Sequence, residues 1–144
     1  MKKKLLFVSC VGLILLASLT NRASALDLAS APSADAQAKS VAINQIYLAS
    51  SQLGSAFGQG FGLAYGLAET LDMANSEYEE GCMEEVNARV ATDPNAQLAY
   101  YVRAIAAFTK AQTYALEVAS KVAEALAQYP AYLKSLFDEK GHEH

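Results

Sequence analysis

Residues 95–129, NAQLAYYVRAIAAFTKAQTYALEVASKVAEALAQY, decide the fold of this chain. The stretch contains neither glycine nor proline and consists mainly of alanine, leucine, valine and charged residues that favour helices. Its charged residues recur at seven-residue intervals and mark a solvent-facing stripe of Arg103, Lys110, Glu117 and Glu124, with Lys121 beside it. Its large apolar residues occupy the opposite half-turn: Leu98, Ile105, Phe108, Leu116, Val122 and Leu126. The pattern predicts one long amphipathic helix that ends before Pro130, because proline pushes the preceding residue out of helical geometry.

The segment before this helix also has helical periodicity. Residues 26–32 are small and aperiodic and predict a flexible leader, with Ser33 as the N-cap of a helix that extends to Asn75. Apolar residues recur along one side of that helix: Ile43, Ile46, Leu53, Phe57, Ala64, Leu67 and Leu71. Ser76 and Glu79 have the Ser-x-x-Glu spacing of a capping box, which predicts a second helix start there.

These segments define the fold class. Residues 92–95, Thr-Asp-Pro-Asn, combine an N-cap with a proline at the first helical position and predict the start of the long helix. No segment shows the two-residue alternation of a strand. We therefore predict an all-α protein, an elongated antiparallel helical bundle or helical hairpin with three to four helices. Its single helical domain covers residues 33–138, and residues 139–144 form a polar tail.

The first 25 residues have the features of a signal peptide. Residues 2–4 are lysines, residues 5–19 are apolar apart from small residues, and residues 23–25, Ala-Ser-Ala, provide a cleavage site. The apolar run is shorter than the roughly 20 residues that a spanning helix needs, which disfavours a membrane anchor. A lipoprotein acylated at Cys10 is also less favoured, because the apolar run continues beyond that cysteine. We expect export to the periplasm or the extracellular space, with a mature chain that begins at Leu26.

Charge and cysteine content restrict the partners. The full chain has a net charge of −4, and cleavage removes four basic and no acidic residues, so the mature chain has a net charge of −8. This charge and the absence of a Lys/Arg cluster disfavour nucleic acids and anionic membranes. Cys82 remains as a single cysteine that cannot form an internal disulfide. It could form an intermolecular disulfide with a second copy, hold a ligand, or simply be buried.

The candidate chemistries are weak. His142 and His144 are the only histidines and lie in the last three residues, so a catalytic relay or a complete Zn or Cu site is not expected. Seven acidic residues lie within residues 69–85: Glu69, Asp72, Glu77, Glu79, Glu80, Glu84 and Glu85. They could form a cation site, but they lack the ligand spacing of an EF-hand loop, so we favour a solvated connection between helices. We expect no enzymatic activity, no cofactor and no metal.

Two ladders of small residues at four-residue spacing are the unusual feature. The first has a glycine-zipper pattern and comprises Ser50, Gly54, Gly58, Gly62 and Gly66; the second comprises Ala107, Ala111, Ala115, Ala119 and Ala123. A helical glycine costs about 1 kcal/mol relative to alanine, and close approach of a second backbone is the direct compensation. Residues 40–68 also contain no charged residue. We predict that the ladders form an interface, within the chain or with another copy; in the alternative, the glycines divide the helix and expose a low-charge surface.

The functional prediction follows from these features. We expect an exported, non-enzymatic structural or assembly subunit that forms a homo-oligomer or binds a helical partner through its Gly/Ser/Ala surface. The alternative is an exported bundle that carries an apolar ligand or acts on membranes as a pore. Membrane contact is not favoured, because Gln45, Gln52 and Gln59 would have to lie in hydrocarbon.

Overall fold

Three helices make up the described part of the chain. The computed structural model describes residues 26–58 and 64–128, and single positions at 130, 134 and 138. The helices are α1 (Ala31–Gly58), α2 (Ala64–Val90) and α3 (Pro94–Ala127). No strand occurs among these residues. The predicted all-α class and the count of three to four helices are confirmed.

Helix α3 begins as its sequence predicts. Asp93 is the N-cap, with extended backbone angles (φ −83°, ψ 126°), and its side chain accepts a hydrogen bond from the Ala96 amide at 3.1 Å. Pro94 occupies the first turn, where an amide donor is not required. The C-cap is Gln128, and the predicted charged stripe is exposed along its whole length.

Two predicted helix starts are wrong. Helix α1 begins at Ala31 rather than after Ser33, because Asp27 caps the preceding turn: its side chain accepts hydrogen bonds from the Ser30 amide at 3.0 Å and the Ser30 hydroxyl at 2.6 Å. These bonds lower the pKa of the Asp27 carboxyl. The restart predicted at Ser76 is absent, since Ser76 lies inside the continuous helix α2. A capping box needs an extended N-cap, and residues that pack on the core before and after Ser76 keep the backbone helical.

The core lies around α3, which packs against both other helices, whereas α1 and α2 contact each other less. All four of the largest fully buried side chains belong to α3: Phe108, Gln112, Val118 and Val122. Most other core positions are alanines, namely Ala31, Ala38, Ala42, Ala49, Ala74, Ala88, Ala104, Ala107, Ala111, Ala115, Ala119 and Ala125. The distance between packed helices depends on the side chains at the contact, so small residues allow close approach.

Among the three glycines whose surroundings the structure describes, Gly81 is the one that a neighbouring helix approaches closely. It is buried in α2, and a Cβ atom built on it would lie 2.5 Å from Phe108 Cε1 and 2.7 Å from Phe108 Cδ1. The Phe108 ring also packs against Tyr78, with ring centroids 5.4 Å apart. A side chain at position 81 would therefore displace the largest residue of the core.

The predicted apolar side of residues 33–75 is confirmed at most described positions. Ile46, Leu53 and Leu67 are buried, whereas Ile43 is 37% exposed. Whether the helix continues through residues 59–63 lies outside the described residues. Among the described helices, none has an apolar stretch long enough to cross a membrane.

Candidate functional site

Helix α1 turns both of its charged residues inward. Asp35 and Lys39 are the only charged residues among its 28 positions. Asp35 is buried, with 3% exposure, and Lys39 is half-buried. Lys39 Nζ lies 2.7 Å from Glu85 Oε1 of α2, and Glu85 is itself only 5% exposed. We call Asp35, Lys39 and Glu85 the polar cluster.

The polar cluster contains two buried carboxyl groups beside one lysine. Burial, followed by the hydrogen bond with Glu85 and its negative charge, raises the pKa of Asp35 to about 8. With this pKa, the Asp35 carboxyl holds its proton at neutral pH. Burial alone would raise the pKa of Glu85, but the hydrogen bonds from Asp35 and Lys39 outweigh it and lower that pKa. Asp35 Oδ1 has no hydrogen-bond partner in the part of the chain that the structure describes.

The outer face of α1 carries no charge. Its exposed residues form what we call the uncharged face: Pro32, Ser33, Ala36, Gln37, Ser40, Ile43, Asn44, Tyr47, Leu48, Ser50, Ser51, Gly54 and Ser55. Tyr47 is 76% exposed, and Leu48 is 43% exposed. The outer faces of α2 and α3 differ, because acidic and basic side chains such as Glu79 and Lys110 are exposed there.

The described part of the glycine ladder lies open. Ser50 and Gly54 belong to the uncharged face, and Gly66 is exposed near the start of α2. A Cβ atom on Gly54 or Gly66 would find nothing within 4 Å. Among residues 26–58 and 64–128, therefore, no helix packs closely against these two glycines. Gly58 is the last residue of α1, its surroundings are not among the described ones, and Gly62 lies outside the described residues.

The alanine ladder is part of the core and does not meet the described glycines. Ala107, Ala111, Ala115 and Ala119 are buried against the other helices of the same chain, and Ala123 is half-buried. The pairing of the two ladders inside the chain is therefore absent at Gly54 and Gly66. Because the buried alanines already have partners, they offer no surface to a second chain in the folded state.

Cys82 and the predicted acidic connection both lie on α2. Cys82 is a free, half-buried cysteine packed against the core, close to Lys39 and Tyr78. The acids of residues 69–85 follow a helix and not a loop, and Glu85 among them is buried in the polar cluster. In residues 26–58 and 64–128, no three His, Cys, Asp or Glu side chains converge in a way that could hold a metal ion.

An open depression separates the start of α2 from the end of α3. Its lining mixes apolar, polar and charged residues: Gly66, Leu67, Lys121, Glu124, Ala125 and Gln128. Lys121 and Glu124 are exposed at this site. Because the depression is open to solvent, it does not provide the enclosure that an apolar ligand needs.

Sequence reasoning missed the polar cluster because its partners lie 46 positions apart along the chain. One signal was present: Asp35 and Lys39 stand four residues apart and are the only charges of an otherwise neutral helix. Comparison with protein-family models, curated proteins and solved structures found no match for this chain.

Proposed function

We propose that this protein is an exported, non-enzymatic helical subunit that associates with further copies of itself through the uncharged face of α1. One observation carries the proposal. Helix α1 directs Asp35 and Lys39 into the polar cluster and leaves only uncharged residues on its outer side. A freely solvated helix face normally carries charged residues, so the neutral face is better suited to contact with another surface.

Charge favours a second copy as the partner. The chain is acidic, with a net charge of −4 before cleavage and −8 after it, so most pairs of faces on two copies would bring like charges together. Two uncharged faces avoid this repulsion. Tyr47, Ile43 and Leu48 provide apolar area, and the core of an interface is typically depleted in charge and enriched in aromatic residues. Gly54 has open space above it, which permits close approach of a second helix.

The proposed subunit is an antiparallel bundle. Gly81 of α2 meets Phe108 of α3, whereas Leu67 lies beside Ala125 in the lining of the depression. Earlier positions of α2 thus meet later positions of α3, which supports opposite directions for these two helices. The proposal of export depends on the lysines, the apolar run and the Ala-Ser-Ala site of residues 1–25.

The proposal excludes catalysis by the polar cluster. Asp35 and Glu85 are 3% and 5% exposed, and the Glu85 carboxylate bonds to Lys39. A substrate could not reach them without separation of α1 from α2. Carriage of an apolar ligand is the weaker candidate, since its only described support is the depression beside Leu67, where Lys121 and Glu124 are exposed.

Sedimentation velocity of the chain purified after export tests the association. We expect the mean mass to increase with concentration and Tyr47→Glu to return the protein to a monomer, because the substitution places a charge in the centre of the uncharged face. Ala106→Glu is the matched control, since Ala106 is exposed on α3. It should leave the mass unchanged. A parent that stays monomeric, or equal effects of the two substitutions, would refute the proposal.

Export is tested separately by the intact mass of the secreted protein. A chain that begins at Leu26 is expected. Recovery of soluble protein that retains Met1 in the cytoplasm would contradict the predicted cleavage.

A further inference from the structure

The contact between α1 and α2 contains two buried acidic residues and one lysine. These two helices touch each other less than either touches α3. At their contact, Asp35 and Glu85 are both more than nine-tenths buried, and Lys39, one turn after Asp35 on α1, bonds to Glu85 Oε1 at 2.7 Å. Two buried carboxylates beside one bonded cation would leave a negative charge uncompensated, which favours the retention of one proton.

The surrounding charges do not replace that proton. Lys39 Nζ is already paired with Glu85 Oε1 at 2.7 Å, and Arg89 of α2 acts on Asp35 only as an exposed charge. The charged side chains of α3 lie on its exposed stripe, and its half-buried ionisable groups are Tyr100, Tyr101 and Tyr114. On α2, Cys82 and Tyr78 lie close to Lys39, and burial raises the pKa of Tyr78. Asp27, in the turn before α1, is exposed and bonds to Ser30. With both acids ionised, the cluster would have two buried negative charges and one close cation.

We propose that the Asp35–Glu85 pair is a one-proton lock that holds the first half of α1 against α2 and releases it as the surrounding pH rises from mildly acidic to mildly alkaline. This inference is independent of the proposed self-association. It concerns only how α1 is attached within one chain.

The direction follows from the two states of Asp35. Its pKa is about 8 when α1 is docked, against an ordinary value of 3.8 when the carboxyl group is in water. Docking therefore takes up a proton between these pH values, and each unit of pH increase lowers the ratio of docked to undocked α1 by up to about tenfold. Above pH 8 the docked state has lost the proton as well, and the ratio no longer falls. Glu85 acts in the opposite direction, and only at acidic pH. Its pKa is lowered from 4.5, so the stability that its carboxylate gives to the docked state is lost as the pH falls. The lock therefore acts between about pH 5 and pH 8.

Hydrogen exchange of the chain purified after export tests the lock. Protection factors of backbone amides in the first half of α1, corrected for the intrinsic pH dependence of exchange, should decrease by up to about tenfold per pH unit between pH 5 and pH 8. Asp35→Asn keeps a neutral hydrogen-bond donor in place and should abolish this slope. Asp72→Asn, which neutralises an exposed acid of α2, should retain it.

Several results would overturn the proposal. One is protection of the α1 amides that does not change with pH, and another is a pH dependence of that protection that survives Asp35→Asn. A third is an equal pH dependence for the amides around Phe108 of α3, because this would show global unfolding and no local release. If Asp35→Asn does not fold, carboxyl-carbon NMR of the parent decides the matter. A titration midpoint of Asp35 near 8 supports the lock, and a midpoint near 4 refutes it.

Discussion

Adding one methyl group to Gly81 should destabilise the protein, although alanine favours helices more than glycine does. Gly81→Ala would place a Cβ atom 2.5, 2.7 and 2.8 Å from three carbons of the Phe108 ring. Carbon atoms pack best at about 3.5–4.0 Å, so the ring or the α2 backbone must move by about 1 Å. Phe108 is completely buried and packs against Tyr78, so the ring has no free space to enter.

Two opposing effects determine the size of the change. Replacement of a mid-helix glycine by alanine stabilises by about 1 kcal/mol through helix propensity. Overpacking a well-filled core costs about 1–3 kcal/mol, and a 2.5 Å approach belongs at the upper end of that range. We therefore expect a net loss of about 2 kcal/mol in the free energy of unfolding. For a domain of this size this corresponds to a decrease in Tm of about 10 °C.

Urea and thermal unfolding, followed by circular dichroism at 222 nm, measure this loss. Gly54→Ala is the matched control: Gly54 is also helical, but its Cβ would meet nothing, so the substitution should stabilise by up to about 1 kcal/mol. Phe108→Val removes all three clashing ring atoms. In that background Gly81→Ala should become stabilising, which makes the two positions strongly coupled in a double-mutant cycle.

The reasoning fails if Gly81→Ala stabilises the protein as much as Gly54→Ala does. It also fails if the effect of Gly81→Ala is the same with and without the Phe108 ring.

Two further predictions concern α3. Gln112 is 1% exposed, and neither of its side-chain polar atoms has a hydrogen-bond partner among the described residues. Gln112→Met keeps a similar shape and should therefore increase the free energy of unfolding in urea by about 1–3 kcal/mol. A lower urea midpoint would contradict this prediction. Asp93→Ala removes the side-chain acceptor of the Ala96 amide and should lower the free energy of unfolding by about 1 kcal/mol. Asp93→Asn retains a capping oxygen and should lower it less. Equal losses from the two substitutions would show that the cap is not responsible.

The features that the sequence predicts correctly are those set by local rules. The start of α3 depends on Asp93 and Pro94, which are adjacent, and its exposed stripe depends on a seven-residue repeat within one helix. The start at Ser76 was predicted by an equally local rule, but tertiary packing overrides it: Ala74 and Tyr78 on either side pack on the core.

The candidate site could be predicted only in part. The lack of charge in residues 40–68 is visible in the sequence, and it marks most of the uncharged face. The polar cluster is not visible in the same way, because Lys39 meets Glu85 only after two helices have packed. Gly81 was missed for a related reason: it stands outside the four-residue glycine ladder, and only the position of Phe108 explains it.

The alanine-rich inner side of α1 has a consequence during synthesis. Helix α1 leaves the ribosome first, yet its main partner α3 is completed last, so the inner side of α1 stays uncovered while α2 and α3 are made. Hydrophobic surface that is exposed at this stage promotes aggregation. Among the α1 residues whose burial is described, four of the core residues are alanines, and only Ile46 and Leu53 add larger apolar groups. The inner side of a nascent α1 therefore presents little apolar area to other unfinished chains before α3 covers it.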